Sequence, residues 1–376
     1  MNLPRPIKVL VVDDSVVFRR VLVRALTADP GITVIGEAGC AAEAEAILQH
    51  RNVDVITLDL EMPGKSGLDF LRDTASPMGI PTIVISATTP RGAAQSIAAL
   101  SSGAVDVVAK PRGTKPGTAD HLALDAIAAR VKVAAMVHFP VTPARPRSPT
   151  VLPSAGHGIA QNWPILLGAS TGGVQALSVI LQALPYDCPP VLIVQHMPEG
   201  FTGAFAQRLD RLCAIHVREA CADDVLRPGQ ALIAPGGARH MVLLRDRSDR
   251  LLVDLVAGDP VCFSRPAVDV LFLSAAEVVG KRCSAAVLTG MGSDGALGLL
   301  ALAQAGAQTF AQDEETSLIY GMPARAVECG GARAQVPLGE MAARLLASVG
   351  TASAAAPQMF SQSALQGRRL ATPKEF

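Results

Sequence analysis

Short apolar runs alternate with amphipathic stretches along most of the chain. Runs rich in Val, Ile and Leu predict buried strands at 7–12, 33–36, 53–58, 80–85, 105–108, 165–167, 191–194, 231–234 and 285–288. Between them, apolar residues recur at helical spacing, for example over 16–27 and 41–49. Alternating strands and helices with near-continuous apolar strands are typical of parallel sheets covered on both faces. The fold class predicted is therefore α/β.

Length and proline content predict how the chain divides. At about 150 residues per domain, 376 residues indicate two domains, and we expect them at 1–130 and 161–350. Residues 131–160 hold five prolines and three basic residues without an acidic one, which predicts a semi-rigid linker. The tail at 351–376, rich in Ala, Ser and Gln, is predicted to be disordered.

Composition excludes several classes of protein. The 33 basic and 33 acidic residues give a net charge of zero, which argues against binding nucleic acid or anionic lipid by bulk charge. No run approaches the roughly 18 apolar residues of a membrane span, and Asp13-Asp14 cuts short the first apolar stretch, so neither membrane insertion nor a secretory signal is expected. Seven scattered cysteines without a CxxC predict reduced thiols and no structural zinc. We expect a cytoplasmic monomer.

Acidic side chains follow two strands of the first domain. Asp13 and Asp14 follow the first strand, and Asp59 follows the third. Three carboxylates at one sheet edge repel each other unless a cation lies between them, and Mg²⁺ prefers such oxygen ligands. Ser86 and Lys110 end the next two strands, which predicts a phosphoryl site with Asp59 as a nucleophile. A single Asp would more simply cap a helix, but five residues in this order favour the phosphoryl site.

The segments VLVVDDS, DVITLDLEMPGKSG, VISATT and VVAKP resemble the receiver domain of two-component response regulators over roughly 5–130. The resemblance implies a flavodoxin-like, five-stranded parallel sheet and phosphorylation of Asp59 by a chemotaxis histidine kinase. It also implies that Ser86 and Lys110 contact the phosphoryl group. Mg²⁺ for the phosphorylation would have four ligands: Asp13, Asp14, Asp59 and the backbone carbonyl of Glu61.

Two positions depart from the receiver pattern. Ser66 stands where an Asp is common before the Gly of the MPxxxG stretch, and we expect little effect from it. Val107, three residues before Lys110, stands where receivers usually carry an aromatic switch residue. Phosphorylation is still expected, whereas coupling through rotation of a ring at this position is not.

A serine on a Gly-rich turn opens the second domain. The strand at 165–167 runs into GASTGG, and Ser170 satisfies the G-x-S-x-G pattern of a nucleophile turn. A phosphate-binding loop is the alternative, but no Lys follows the glycines and Ser170 interrupts G-x-G-x-x-G. A nucleophilic serine needs a base and a residue to orient it. His196 and Asp294 each follow a predicted strand, and His240, after another Gly-rich loop, is the competing base.

The order Ser…His…Asp differs from that of α/β-hydrolases, so a different doubly wound fold with a mostly parallel sheet is expected. The segments GASTGG, QHMP, RPAVDVLF and LTGMGSDGALG resemble the chemotaxis protein-glutamate methylesterase/glutaminase family of the CheB type over roughly 162–348. By that resemblance, Ser170 is the nucleophile, His196 the general base and Asp294 its orienting residue. The backbone N–H groups of Thr171 and Met291 form the oxyanion hole.

The resemblance implies that phosphorylation activates hydrolysis of glutamate γ-methyl esters on the cytoplasmic helices of chemoreceptors, releasing methanol, and that receptor glutamines are deamidated as well. A transcriptional regulator is not expected, because residues 161–350 carry 14 basic and 18 acidic side chains and open with a Gly-rich strand turn. A scaffold that has lost catalysis is disfavoured by the presence of all three catalytic residue types. A serine esterase or amidase of the same fold acting on another target remains open.

Overall fold

The first sheet is built from strands that are apolar on both faces. The computed structural model describes residues 5–87, 89–111, 121–137, 151–153 and 163–349. In it, five parallel strands pair in the order β2-β1-β3-β4-β5. They are β1 (Ile7–Val12), β2 (Ile32–Ala38), β3 (Val55–Leu58), β4 (Thr82–Ser86) and β5 (Asp106–Ala109). The predicted five-stranded parallel sheet is confirmed, and every predicted strand bound lies within two residues of the observed one.

Helices cover both faces of this sheet. They are α1 (Val16–Thr27), α2 (Ala41–His50), α3 (Gly67–Phe70), α4 (Pro90–Ser101) and α5 (His121–Ala134), with a π-helical turn at Leu71–Ala75 after α3. Hydroxyl groups of Ser15, Ser66 and Thr89 accept a backbone N–H bond at the starts of α1, α3 and α4. Such caps satisfy amide groups that have no partner within the helix, and they fix where each helix begins.

The second sheet has seven parallel strands in the order β15-β14-β13-β6-β7-β10-β8. They are β6 (Ile165–Ala169), β7 (Val191–Gln195), β8 (His216–Glu219), β10 (Gln230–Ile233), β13 (Ser284–Val287), β14 (Gln308–Gln312) and β15 (Ala334–Val336). The helices around it are α6 (Gly173–Ala183), α7 (Phe201–Leu212), α8 (Val268–Val278), α9 (Ala296–Gln304), α10 (Met322–Glu328) and α11 (Leu338–Ala347). The expected doubly wound architecture is confirmed.

The strand order places a topological switch point in the middle of this sheet. From β6 the chain proceeds to β7 and outward to one edge, then returns to β13 on the other side of β6. Connections after β6 and after β13 therefore leave in opposite directions, which opens a crevice beyond their carboxyl ends. Ser170, His196 and Asp294 all lie in the loops at this edge, after β6, β7 and β13 respectively.

A small antiparallel sheet was not predicted. It pairs β9 (Asp224–Val225), β11 (Arg239–Arg245) and β12 (Leu251–Ala257) in the order β11-β12-β9. β11 and β12 are buried on one face only, so charged residues alternate with apolar ones along them. Continuous apolar runs do not reveal strands with this alternation. They also did not reveal β8, β14 and β15 of the seven-stranded sheet, whose sequences contain polar residues.

Helix α5 continues to Ala134, four residues beyond the expected end of the first domain. The prolines of the predicted linker at 140–149 lie outside the described residues, and so does the predicted tail at 351–376. Within the part of the chain that the structure describes, no helix has the length and apolar character needed to cross a membrane.

The two α/β units contact each other through α4 and β5 of the first unit. Helix α4 packs against α6 and α7. The Gln175 side-chain amide of α6 donates to the backbone carbonyls of Leu100 at 2.6 Å and Ala104 at 3.1 Å. These two carbonyls close the end of α4 and the turn before β5, so the contact fixes β5 over the carboxyl edge of the second sheet.

A glycine in β6 is predicted to be essential for packing the second unit. A Cβ at Gly168 would lie 2.3 Å from Val268 Cγ1 at the start of α8, well inside van der Waals contact. We expect Gly168→Ala to lower the free energy of unfolding by about 1–3 kcal/mol, as overpacking typically does. Denaturant titration measures this loss. The matched control is Gly339→Ala on exposed α11, where a Cβ has no neighbour within 4 Å and stability should be kept or slightly raised.

Candidate active site

Ser170 lies on the tight turn between β6 and α6. Its backbone N–H donates to the Thr289 carbonyl at 3.0 Å, which ties the turn to the loop after β13. Gly172 has a φ of +83° and begins the cap of α6, and a Cβ there would lie 2.8 Å from Leu318 Cβ. The left-handed backbone and the close neighbour both require glycine, which explains the Gly-rich pattern after the serine.

His196 is brought beside Ser170 by the parallel register of β6 and β7. Ala169 pairs with Gln195, and the His196 N–H donates to the Ala169 carbonyl at 3.0 Å. The imidazole Nε2 lies 2.7 Å from Asp294 Oδ2. A carboxylate can only accept, so in the neutral imidazole Nε2 carries the hydrogen and Nδ1 is left as the acceptor.

Asp294 is almost fully buried, with 1% of its surface exposed, and it accepts hydrogen bonds from His196 and from the start of α8. His196 approaches one oxygen, which also accepts the Val268 N–H at 2.7 Å, and the other oxygen accepts the Asp269 N–H at 2.9 Å. Both amides belong to the start of α8, where unpaired N–H groups and the helix dipole favour a negative charge. The helix therefore holds the carboxylate in the orientation that meets the imidazole.

The second ring nitrogen of His196 is bonded to a hydroxyl other than that of Ser170. Ser264 Oγ lies 3.3 Å from Nδ1, on a short turn closed by paired backbone bonds between Val261 and Ser264. No hydrogen bond joins Ser170 and His196 in this state. The contact between Ser264 and His196 was not predicted by the sequence motifs.

The two expected oxyanion donors belong to backbone segments that adjoin Ser170. Thr171 follows it directly, and its carbonyl accepts the Thr289 hydroxyl at 3.0 Å. Met291 follows Gly290, where a Cβ would lie only 2.7 Å from the Ser170 Cβ. The absence of a side chain at Gly290 lets the backbone leading to Met291 approach the serine closely.

Gln195 is a site residue that sequence reasoning missed. Its buried side-chain amide donates to the carbonyl of Ser170 at 2.9 Å and to that of His196 at 3.1 Å. One side chain therefore fixes the backbone of two residues on neighbouring loops. A polar residue at the end of the apolar run 191–194 was the available signal, because a buried amide needs specific partners.

His240 is bonded to backbone groups of the segment that precedes α8. Its Nδ1 accepts the Ala267 N–H at 3.1 Å, and its Nε2 donates to the Asp259 carbonyl at 3.0 Å. With both nitrogens occupied and the ring 3% exposed, His240 braces the loop that leads into α8. The structure gives it no contact that a general base at Ser170 would need.

The acidic residues of the first unit also converge. Carboxylate oxygens of Asp13, Asp14 and Asp59 lie within 4.8 Å of one another. Lys110 Nζ lies 2.9 Å from Asp13 and 2.5 Å from Asp59. Burial raises the pKa of Asp13 above its usual value, although Lys110 offsets part of the effect. Burial alone would lower the pKa of Lys110, but its bonds to Asp59 and Asp13 outweigh this and raise it.

The remaining predicted residues of this unit lie around the same edge. The Lys110 N–H donates to the Ser86 carbonyl at 2.8 Å, and the buried Ser86 hydroxyl donates to the Gly92 carbonyl in α4 at 3.4 Å. The Glu61 N–H donates to Asp59 at 3.2 Å. A group added to Asp59 would therefore meet Lys110 and the loop that enters α4.

Residues of the first unit cover the Ser170–His196 region. Asp106 Oδ2 accepts the Thr171 hydroxyl at 2.9 Å and also pairs with Arg130 of α5 at 2.5 Å. Val107, at the position of the missing aromatic residue, is buried and faces the same space. The cavity between Ser170, His196 and these residues measures only about 10 Å³. That is about the smallest volume that holds one water molecule, so a substrate has no room.

The fold and the two clusters define a two-domain response regulator: a receiver joined to an α/β effector domain. The CheB methylesterase family model matches residues 165–345, and the response regulator receiver domain model matches residues 9–117. The chain is 46% identical over 339 residues to protein-glutamate methylesterase/protein-glutamine glutaminase 2 of Cereibacter sphaeroides, covering 90% of this chain and 91% of that protein. The chain belongs to the CheB family of protein-glutamate methylesterases/protein-glutamine glutaminases.

A second relative agrees with this assignment. The chain is 44% identical to protein-glutamate methylesterase/protein-glutamine glutaminase 1 of Caulobacter vibrioides, covering 90% of this chain and 97% of that protein. The crystal structure of the Thermotoga maritima CheB methylesterase catalytic domain is 35% identical, with a TM-score of 0.48, covering 50% of this chain and 98% of that one.

We predict that Gln195 controls the reactivity of Ser170. Gln195→Leu keeps a similar volume but removes the donor that holds the Ser170 and His196 carbonyls, so both loops relax. We expect the rate at which a fluorophosphonate modifies Ser170 to fall about tenfold or more, because small displacements of reacting groups are costly. The matched control is Gln230→Leu. Gln230 begins the neighbouring strand β10 and so lies at the opposite edge of the sheet from Ser170. Equal rates for parent and Gln195→Leu would contradict the prediction.

Proposed function

We propose that this protein is a phosphorylation-activated methylesterase that hydrolyses glutamate γ-methyl esters on the cytoplasmic helices of chemoreceptors and deamidates receptor glutamines. The observation that carries the proposal is the His196–Asp294 pair beside Ser170, at the carboxyl edge of the sheet and directly beneath the receiver. Relatives that match nine-tenths of the chain carry this activity in their names.

The proposed reaction is acyl transfer through Ser170. Its hydroxyl attacks the γ-carbonyl carbon while His196 Nδ1 takes the hydroxyl proton, and Asp294 stabilises the imidazolium through Nε2. The N–H groups of Thr171 and Met291 bind the oxyanion. The intermediate collapses as His196 returns the proton to the leaving methoxide, which departs as methanol, or to the leaving amine, which departs as ammonia. Water then attacks the glutamyl ester with His196 as base, and glutamate and Ser170 are regenerated.

In the covered state, the Ser264 hydroxyl is bonded to the His196 nitrogen that acts as the base in the proposed reaction. Since Ser264 holds Nδ1, the attack of Ser170 requires His196 to exchange one hydroxyl partner for the other. During this exchange Nε2 stays bonded to Asp294. We infer that the covered state keeps the serine unactivated.

Control by the receiver rests on β5. Asp106 opens this strand and bonds Thr171, whereas Lys110 follows it and bonds Asp59. We propose that phosphorylation of Asp59 by a histidine kinase draws Lys110 and Ser86 to the phosphoryl group and weakens the contact at Asp106. The phosphoryl group can act only by changing the free-energy difference between covered and open states. Val107 would serve as part of the covering surface rather than as a rotating ring.

The acidic cluster fits a magnesium ion. Three carboxylates within 4.8 Å of one another provide the hard oxygen donors that Mg²⁺ prefers while it keeps several waters. Asp13, Asp14 and Asp59 would hold the ion, with the Glu61 carbonyl as a further ligand. Bound there, Mg²⁺ would neutralise charge on the incoming phosphoryl group, and Lys110 would balance the remaining carboxylate charge.

The proposed activity predicts methanol release from methylated receptor fragments. We expect acetyl phosphate to stimulate release by the parent and Ser170→Ala to lower it at least a thousandfold, because the nucleophile is lost. Ser178→Ala, on the same helix as the serine turn but away from the cavity, is the matched control. Asp59→Ala should lose stimulation by acetyl phosphate and keep basal release.

Equal release by parent and Ser170→Ala would overturn the assignment of the serine. Fluorophosphonate modification of Ser170 without any methanol from receptor fragments would instead favour the alternative, an esterase or amidase of the same chemistry with another target.

The receiver contact predicts an activating substitution. Asp106→Ala removes the acceptor shared by Thr171 and Arg130, so the covered state loses a charge-assisted bond. We expect basal methanol release without phosphodonor to rise about fivefold to tenfold, with a smaller further gain from acetyl phosphate. Asp125→Ala, on the exposed side of α5, should leave basal release unchanged. Unchanged basal release in Asp106→Ala would show that this bond does not maintain the covered state.

A further inference from the structure

Two helices of the catalytic domain begin side by side, and each begins at a carboxylate supplied by the other. Asp294 precedes the Gly295 cap of α9, yet its oxygens accept the Val268 and Asp269 N–H groups of α8. Asp269 lies in the first turn of α8, yet its Oδ1 accepts the Gly298 N–H of α9 at 2.7 Å. Asp294, which precedes α9, therefore caps α8, and Asp269, which belongs to α8, binds the first turn of α9. A shift of either helix would disturb both carboxylates.

Glycines allow the two helix starts to meet. Gly295 has a φ of +89°, and a Cβ there would lie 2.7 Å from Val268 Cγ1. A Cβ at Gly298 would lie 2.5 Å from Phe272 Cβ in α8. Because both positions lack side chains, the first turn of α9 reaches within hydrogen-bond distance of Asp269. The spacing Asp-Gly-x-x-Gly at 294–298 thus serves this reciprocal contact.

Asp269 is buried together with a second negative charge. It is 2% exposed, and carboxylate oxygens of Asp269 and Asp294 lie within 4.8 Å of each other and of the Cys262 thiol. Arg325, Glu328 and Cys329 also line the cavity beside Asp269 and Cys262, and Arg325 pairs with Glu328 at 2.6 Å. Burial, with a contribution from Asp294, raises the pKa of Asp269 to about 6, although the N–H groups of α9 oppose the shift.

We propose that Asp269 is a positioning residue for the reaction: in its ionised form it holds the start of α9, and with it Asp294, so that the Asp294 carboxylate stays directed at His196. This inference rests on the proposed role of the Ser170, His196 and Asp294 side chains. A charged carboxylate accepts N–H bonds more strongly than its protonated form does. Protonation of Asp269 therefore loosens the helix end that carries Asp294, and the imidazole loses its fixed partner.

The test is the pH dependence of Ser170 modification by a fluorophosphonate in the full chain, which needs no knowledge of the natural substrate. Protonation of the general base alone makes the logarithm of the rate fall with a slope of one towards acid. In the parent, protonation of Asp269 below about pH 6 lowers the rate further, so the logarithm of the rate falls with a slope greater than one. We expect Asp269→Asn to show a slope of one and a rate about tenfold lower at pH 8, since the supporting charge is absent at every pH.

Two further variants separate positioning from stability. Asp269→Ser retains an oxygen that can cap α9 without charge, so it should show the same slope of one, and it replaces the Asn variant if that one does not fold. Ser284→Ala is the control: it removes the buried partner of the Trp163 indole N–H at the opposite end of β13. It should lower the melting temperature and keep both the parental slope and the parental rate.

Each result decides for or against the inference. A parental slope and rate in Asp269→Asn, or loss of both in Ser284→Ala, would overturn the positioning role while leaving Ser170 as the modified residue. Failure of the parent to be modified at Ser170 would count against the proposed catalytic residues themselves. The two failures are therefore distinguishable in one experiment.

Discussion

The buried charge of Asp294 is the constraint on which the catalytic site depends. An ionised carboxylate that is 1% exposed is tolerated only where donors surround it. Here the donors are the first amides of α8 and the His196 ring, so one charge fixes a helix, a loop after β7 and a loop after β13. Gln195 and the bond from the Ser170 N–H to the Thr289 carbonyl connect the turn that carries Ser170 to the same two loops. The geometry of the candidate site thus follows from satisfying the hydrogen-bonding needs of one buried group.

The architecture was accessible from sequence because its causes are local. Strands buried on both faces appear as apolar runs, and parallel strands bring whatever follows them to one edge. That rule alone predicts that Ser170, His196 and Asp294 are neighbours, and that Asp13, Asp59 and Lys110 are neighbours. The structure places each group together. The antiparallel strands β11 and β12 escaped because one face of each is exposed and their pattern alternates.

Other features of the site could not be predicted, because no local pattern in the sequence indicates them. The contact of Ser264 with His196 joins residues 68 apart through a short turn of irregular backbone, and no periodicity predicts where that turn lies. The Asp106–Thr171 bond connects two domains, so neither domain's pattern indicates it. Asp269 was visible only as part of the RPAVDVLF segment; its exchange with Asp294 depends on how two helices pack.

The small size of the covered cavity couples binding at the catalytic face to phosphorylation of the receiver. A space of about 10 Å³ has no room for a protein side chain, so binding beside Ser170 needs the receiver residues that line the cavity to move away. Any partner that binds the catalytic face stabilises the separated form, and the affinity it shows is reduced by the fraction of molecules already open. Thermodynamic linkage is reciprocal. If phosphorylation favours separation, a partner bound to the catalytic face must favour the phosphorylated form to the same extent.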